Sequence, residues 1–368
     1  MRDCVTIQSE YDTRKKEDDM RTWRDNIRTV EPYTPGEQPK DKNVIKLNTN
    51  ENPYGPSPRV SLLQEDMEEL RLYPDPAAAL LTDGIADYHG VDAGQVFVGV
   101  GSDDVLAMAF MTFFNSSLPI LFPDVTYSFY DVWAELFRIP YEQPKLDPEF
   151  RIRKEDYYKE NGGVIFPNPN APTGICEGLE FVEDILRHNQ DAVVIVDEAY
   201  IDFGGQSALP LLDQYDNLLI VRTFSKSRSM AGLRIGYAIG SPELIQAMSN
   251  VKYSFNSYTM NRPALLLGAE SLKDEEYFRE TIEKIIRTRT WFGEELKKLG
   301  FTFPESKANF LFARHERENA EDIFIAAKQN GIYLRHFDQP RVKDYLRITV
   351  GTDAQMQALL EFLKNYLN

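Results

Sequence analysis

Short apolar runs alternate with longer amphipathic stretches through the middle of the chain. Residues 96–100, 119–122, 163–166, 192–196, 218–221 and 235–239 are apolar over the length of a strand, as expected where both faces of a sheet are covered. Several gaps between them carry apolar residues at helical spacing, as in 103–114, 129–137 and 179–188. This order predicts an α/β fold with a mostly parallel sheet between two layers of helices. From about Arg262 the pattern changes. A long helix is predicted over 274–298, with Tyr277, Ile282, Ile285, Ile286, Phe292 and Leu296 on one stripe. Short strands at 309–313, 332–334 and 345–349 and a last helix at 353–366 follow, the pattern of a smaller α+β unit. The expected division is an N-terminal extension and arm (1–55), a large domain (56–261) and a small C-terminal domain (262–368).

Composition narrows the possibilities. The 368 residues, 42% of them hydrophobic, suffice for a large core and a smaller second one. No run approaches the roughly 18 apolar residues of a membrane helix, and the N-terminus lacks the pattern of a secretion signal, so the expected location is cytoplasmic. Cys4 and Cys176 are far apart and fit no metal-ligand spacing, so both are expected as free thiols and no metal is expected. A net charge of −17 argues against nucleic acid as a partner and requires any anionic ligand to be held by local arginines. The first nineteen residues, ending in the charge run 14–19, read as a mobile extension, with Met20 as the expected natural start.

Candidate chemistry centres on Thr223-Phe-Ser-Lys-Ser-Arg-Ser-Met-Ala-Gly-Leu-Arg-Ile-Gly-Tyr237. Lys226 follows the apolar run 218–221 and so falls at the carboxyl end of a strand, where open α/β sheets bind ligands. Ser225 offers a hydroxyl and Arg234 a planar fork, both suited to phosphate oxygens; a surface lysine in a Ser-rich loop is the competing interpretation. Gly99-Val-Gly-Ser-Asp-Asp104 leads from a strand into a helix, where the Ser102 and Asp103 amides can take an anion or their side chains can cap the helix. The segment does not continue into a dinucleotide fingerprint. Asp197 ends the strongest apolar run, where a buried carboxylate calls for a cation, and Tyr200 follows three residues on. A helix cap and a core-edge aromatic are the plainer alternatives for these two. Two prolines and a glycine make Asn168-Pro-Asn-Ala-Pro-Thr-Gly174 a rigid loop at another strand end. Taken together, a phosphate cradle, an acceptor for a protonated ring nitrogen and an amine nucleophile describe pyridoxal 5′-phosphate held as a Schiff base.

From about Trp23 onward the chain resembles the fold-type-I pyridoxal-phosphate aminotransferases, and within them the histidinol-phosphate aminotransferase family. The resemblance rests on the segments 31–36, 47–56 (Leu-Asn-Thr-Asn-Glu-Asn-Pro-Tyr-Gly-Pro), 72–76, 99–104, 123–127, 168–174, 196–200, 223–237 and 346–351. It implies that Lys226 binds the cofactor and shuttles the proton, Asp197 holds the ring nitrogen, Tyr200 bonds the phenolic oxygen and Tyr127 stacks on the ring. Ser102, Asp103, Ser225 and Arg234 would bind the phosphate, joined by Tyr73 from a second subunit of a homodimer. Arg347 would take a substrate carboxylate or phosphate, with Arg335, Tyr33 and Asn50 also on the substrate side. Two positions depart from the family pattern. Ala171 stands where an asparagine usually contacts the phenolic oxygen, a role left to Asn170 or Asn168, or to Tyr200 alone; Asp104 stands where glutamate is usual. Arg347, between Leu346 and Ile348 in a strand pattern, must face opposite to them. Arg228 reads as solvated or near a subunit contact. The implied substrates are L-histidinol phosphate and the glutamate/2-oxoglutarate pair. A threonine-phosphate decarboxylase, an aromatic amino-acid aminotransferase and a non-catalytic cofactor-binding regulator are the alternatives.

Overall fold

The computed structural model describes residues 27–34, 36–41 and 43–367. Cys4, the extension and the start expected at Met20 lie outside the described residues. The chain divides into two units, residues 1–33 and 34–368, and every helix and strand assigned among the described residues belongs to the second.

After β1 (Ile45–Lys46), a seven-stranded sheet is built from β2 (Val96–Gly99), β3 (Ile120–Leu121), β4 (Tyr141–Glu142), β5 (Gly163–Pro167), β6 (Val194–Asp197), β7 (Leu218–Thr223) and β8 (Gly236–Gly240). Its order is β2-β8-β7-β6-β5-β3-β4, and β8 alone runs against the others. Alternation along the central strands sends successive side chains to opposite faces. Val164, Phe166, Val194, Val196 and Ile220 enter a core completed by α2 (Ala79–His89), α5 (Leu179–His188) and α7 (Arg262–Leu272). Ile165, Ile195, Leu219 and Val221 meet α3 (Ser102–Phe113), α4 (Tyr130–Phe137) and α6 (Pro242–Phe255) on the other face. The short α1 (Gln64–Glu68) precedes α2. Each large side chain buried in these layers contributes about 1.5–3 kcal/mol, so the continuous apolar runs specify a sheet covered on both sides.

The long helix is α8 (Glu275–Lys298). Asp274 accepts from the Tyr277 amide (3.4 Å) at its start, Glu275 and Glu276 occupy its first turn, and Lys297 and Lys298 its last, complementing the helix dipole at both ends. It packs with β9 (Phe301–Thr302), β10 (Phe310–His315), α9 (Ala320–Gln329), β11 (Ile332–Tyr333), β12 (Arg335–His336), β13 (Leu346–Thr349) and α10 (Asp353–Leu367) around Phe292, Leu296, Leu311, Ile323 and Leu359. Strands β12-β13-β10-β9 form an antiparallel sheet. Strand β1 pairs in parallel with β11, Ile45 opposite Ile332, so the segment before Asn48 is tied to the C-terminal elements. The two-residue strands β1, β4 and β12 are too short to carry a recognisable period.

Candidate active site

Asp197 is the last residue of β6 and lies opposite Pro167, the last residue of β5, and Val221, two residues before the end of β7, so three parallel strands end close together. Because β8 is reversed, its first residue, Gly236, pairs with the last residue of β7, Thr223, and with Gly99 of β2. The turn after β7, the turn before β8 and the turn after β2 therefore meet at the carboxyl edge of the sheet. A cavity of about 240 Å³ opens there. Its wall brings together Ser102, Asp103, Tyr127, Asp197, Tyr200, Ser225, Lys226 and Arg234, eight of the residues singled out from sequence.

Gly101, with φ +86°, precedes α3 and leaves it without a side-chain cap. Ser102 and Asp103 are thus the first residues of the helix rather than its cap. Asp104 folds back to accept from the Val100 amide (2.9 Å), so the aspartate at this position serves the turn. A Cβ on Gly101 would stand 2.4 Å from Arg234 Nη2, and one on Gly236 2.3 Å from Ser102 N. Gly236 is required by the close approach of backbone, and Gly101 by its positive φ. Tyr127 Oη donates to Asp103 Oδ1 (2.8 Å) and Arg234 Nη2 donates to Asp103 Oδ2 (3.2 Å), which fixes the two side chains over the helix start. Thr223 Oγ1 accepts from the Ser225 amide (3.1 Å) and lies 3.0 Å from Ser225 Oγ.

The Asp197 carboxylate is buried, and burial raises its pKa to about 6, although Tyr130 Oη (2.9 Å) and the Ala199 amide (3.1 Å) donate to it. Lys226, half-buried, donates from Nζ to the Thr49 carbonyl (3.2 Å) and sits 5.8 Å from the centre of the Tyr200 ring. Tyr200 Oη accepts from Asn50 Nδ2 (3.0 Å), and Asn50 is itself held by Thr349. Glu51 joins the wall beside Thr49; burial opposes its charge, but bonds from Lys46 and Thr49 and the charges of Lys46 and Lys226 hold its pKa below the ordinary value.

Other candidates lie outside this wall. Asn170 donates to the Val125 carbonyl (3.0 Å) and Thr173 Oγ1 (3.2 Å) and accepts from Thr126 (3.2 Å), while Ala171 lines the cavity. Asn168 is likewise taken up, by Glu177 backbone groups. Neither asparagine side chain is among those lining the cavity, whereas Tyr200 is. Arg335 lines a neighbouring cavity of about 110 Å³ that shares Tyr127 with the first. Arg347 is paired with it across β12 and β13, faces away from the buried Leu346 and Ile348, and donates to the Asn48 carbonyl (3.0 Å). Its guanidinium lies over Phe310 (5.5 Å) and Phe337 (5.7 Å), and Arg335 lies over Phe337 as well (5.4 Å). Tyr73 is 84% exposed and leans on Tyr258, ring centres 4.9 Å apart. Tyr33 belongs to the N-terminal unit.

Sequence patterning missed Tyr130, whose ring reads as core while its hydroxyl reaches Asp197; its position in α4, three residues after Tyr127, was the only signal. Of the two expectations for Arg228, solvated or near a subunit contact, the structure overturns the first. Arg228 is 9% exposed, wedged against Tyr88, Phe224 and Phe278, and donates to the Ser271 carbonyl (2.8 Å). Cys176 is a free, half-buried thiol whose pKa burial pushes up to about 11. No group of three or more acidic, histidine or cysteine side chains suited to a metal occurs among the described residues, and no described helix is long and apolar enough to cross a membrane.

The model of the family described as aminotransferase class I and II matches residues 42–363. A histidinol-phosphate aminotransferase of Pseudomonas putida is 51% identical over 345 residues, covering 93% of this chain and 99% of its own. One from Lactococcus lactis is 49% identical over 348 residues, covering 94% and 97%. Among solved structures, the histidinol-phosphate aminotransferase of Clostridium acetobutylicum superposes with a TM-score of 0.81 at 25% identity, covering 88% of this chain and 99% of that one.

Proposed function

Because this chain belongs to the aminotransferase class I and II family, we propose that it is a pyridoxal 5′-phosphate enzyme of L-histidine biosynthesis. It moves the amino group of L-histidinol phosphate to 2-oxoglutarate, giving imidazole-acetol phosphate and L-glutamate. The observation that carries this reading is the convergence of Lys226, Asp197 and the Ser102/Ser225/Arg234 cradle on one cavity. The donor set fits the cofactor. Asp197, pushed up to about 6 by burial, is the partner a protonated ring nitrogen requires, and the uncapped start of α3 beside Arg234 suits a phosphate.

When bound, pyridoxal 5′-phosphate supplies an aldehyde that condenses with amines and a protonated ring that draws electrons from the substrate α-carbon. Lys226 Nζ would be the amine that holds that aldehyde, and would move the proton at the substrate α-carbon. Asp197 would keep the ring nitrogen protonated, and Tyr127 and Tyr200, on the same cavity wall, would hold the ring and its phenolic oxygen. Ser102, Asp103, Ser225 and Arg234 fix the phosphate end. Asn170 serves this site only through the loop that carries Ala171. Arg347 and Arg335, with Asn50, would take the substrate's anionic end; a guanidinium fork binds carboxylate and phosphate alike, which suits the two unlike substrates of a ping-pong cycle.

The same reading divides the chain into an arm (1–55), a cofactor-binding portion (56–261) and a C-terminal portion (262–368), and places the enzyme in the cytoplasm. It also makes the protein a two-fold dimer, with Tyr73 reaching the partner's phosphate site. Supporting this is the exposure of Leu70, Leu72, Tyr73, Phe255 and Tyr258, with Tyr73 against Tyr258 and both Lys252 and Tyr253 donating to the Pro76 carbonyl. The test is to incubate purified protein with L-histidinol phosphate and 2-oxoglutarate and follow glutamate. Stoichiometric glutamate is expected; its absence, or carbon dioxide released from threonine phosphate instead, rules the reading out.

A further inference from the structure

Behind the cavity wall, a chain of polar groups, buried except for the half-buried Asp202, joins the residue after Asp197 to the residue after Lys226. Glu198, 2% exposed, accepts from Arg222 Nε (2.9 Å) and pairs with its Nη2 (2.8 Å). Its carboxylate is completed by Ser207 Oγ (2.8 Å) and the Ala208 amide (2.6 Å). Arg222, on β7 and 8% exposed, has Nη1 3.6 Å from Asp202 Oδ1. Asp202 Oδ2 accepts from Ser227 Oγ (2.6 Å), and the Ser227 carbonyl accepts from Asn52 Nδ2 (3.1 Å). Beyond Arg222, Tyr237 Oη lies 2.9 Å from His89 Nε2, and burial first, then the Arg222 charge, lowers the His89 pKa to about 3.

We propose that Glu198, Arg222, Asp202 and Ser227 form a positioning device that sets the Lys226 backbone in register with Asp197. The inference rests on the role given to Lys226 above. Taking Arg222 and Glu198 out of water is costly unless their bonds are well made, so a chain of this kind has one arrangement rather than many. Its two ends are the peptide neighbours of the amine and of the carboxylate, so loss of one link frees the Lys226 turn while leaving the amine and the cavity wall intact. Ser227, clamped at both hydroxyl and carbonyl, is where that arrangement reaches Lys226.

The test uses the full chain freed of cofactor, with capture of added pyridoxal 5′-phosphate followed by visible absorbance, which reads the amine's placement without turnover. Ser227→Ala and Asp202→Ala should each slow capture about tenfold, and the double variant should be no slower than the slower single one. Asp202→Asn, whose side-chain oxygen still accepts from Ser227, should restore the rate to within about threefold of the parent. Capture at the parental rate in both single variants overturns the proposal, as does a double variant slowed about a hundredfold, which would mean two independent effects. Lowered thermal midpoints with unchanged capture would reduce the chain to a stabilising role and also overturn it. If the parent protein itself shows no capture, the function assigned to Lys226 fails; if the parent captures and the variants match it, only the positioning role fails.

Discussion

Tyr130 Oη donates to Asp197 Oδ2 at 2.9 Å inside a fully buried setting, so the carboxylate at the end of β6 is held from α4, on the far side of one sheet face. That hydrogen bond favours the ionised carboxylate while burial disfavours it. Tyr130→Phe keeps the ring's packing and removes the bond. The expected result is a further rise of the Asp197 pKa and weaker cofactor binding by about five- to thirtyfold, the equivalent of about 1–2 kcal/mol, measured by equilibrium titration with pyridoxal 5′-phosphate.

The same carboxylate gives the cofactor-free protein a defined pH dependence. The folded-state pKa of Asp197, about 6, stands above the ordinary 3.8. Between those values the folded protein holds a proton that the unfolded chain has released, so this group's contribution to stability falls as pH rises through the window. Above pH 6 the full penalty is present, on the order of 3 kcal/mol. Asp197→Asn should remove the dependence and make the cofactor-free protein more stable than the parent at pH 7, while cofactor affinity falls. Denaturant melts at pH 4 and pH 7 decide it; equal pH sensitivity of variant and parent would contradict the assignment.

Gly101→Ala combines a φ of +86° with a Cβ 2.4 Å from Arg234 Nη2. Strain of about 1–3 kcal/mol is expected from the backbone, plus displacement of Arg234 from the start of α3. Denaturant unfolding should show the loss of stability. Release of inorganic phosphate from the cofactor-free protein should be faster than from the parent.

Lys226→Ala should abolish the absorbance band of the imine between lysine and cofactor and stop transamination, with the fold retained because Ser102, Ser225 and Arg234 do not depend on the amine. Absorbance spectra and circular dichroism check both halves. Retained turnover would exclude Lys226 as the amine that holds the cofactor.

Much of the site was readable one strand at a time. Lys226, Asp197 and the Gly101–Ser102 turn each follow an apolar run, and strand ends of a covered parallel sheet all open at one edge. Arg347 was placed correctly by alternation alone, facing away from the buried Leu346 and Ile348. Arg228 was not, because a charged residue in a Ser-rich loop carries no periodic signal; its burial comes from Tyr88, Phe224 and Phe278, distant in sequence and packed around it. Asn170 and Ala171 show the same limit. Which of two adjacent side chains in a loop faces a cavity is set by the loop's own hydrogen bonds, here to Val125, Thr126 and Thr173.

The amino-acid sequence by itself determined the layered α/β architecture and singled out the candidate amine, carboxylate and anion-binding residues, since hydrophobic period and motif spacing are local properties of the chain. Tertiary structure decided which of them share one cavity. The reversed β8 brings Arg234 to the start of α3, Tyr130 reaches Asp197 from a helix 67 residues earlier, and β1 joins β11 across the length of the chain. Such contacts depend on strand order and packing, which no local pattern encodes.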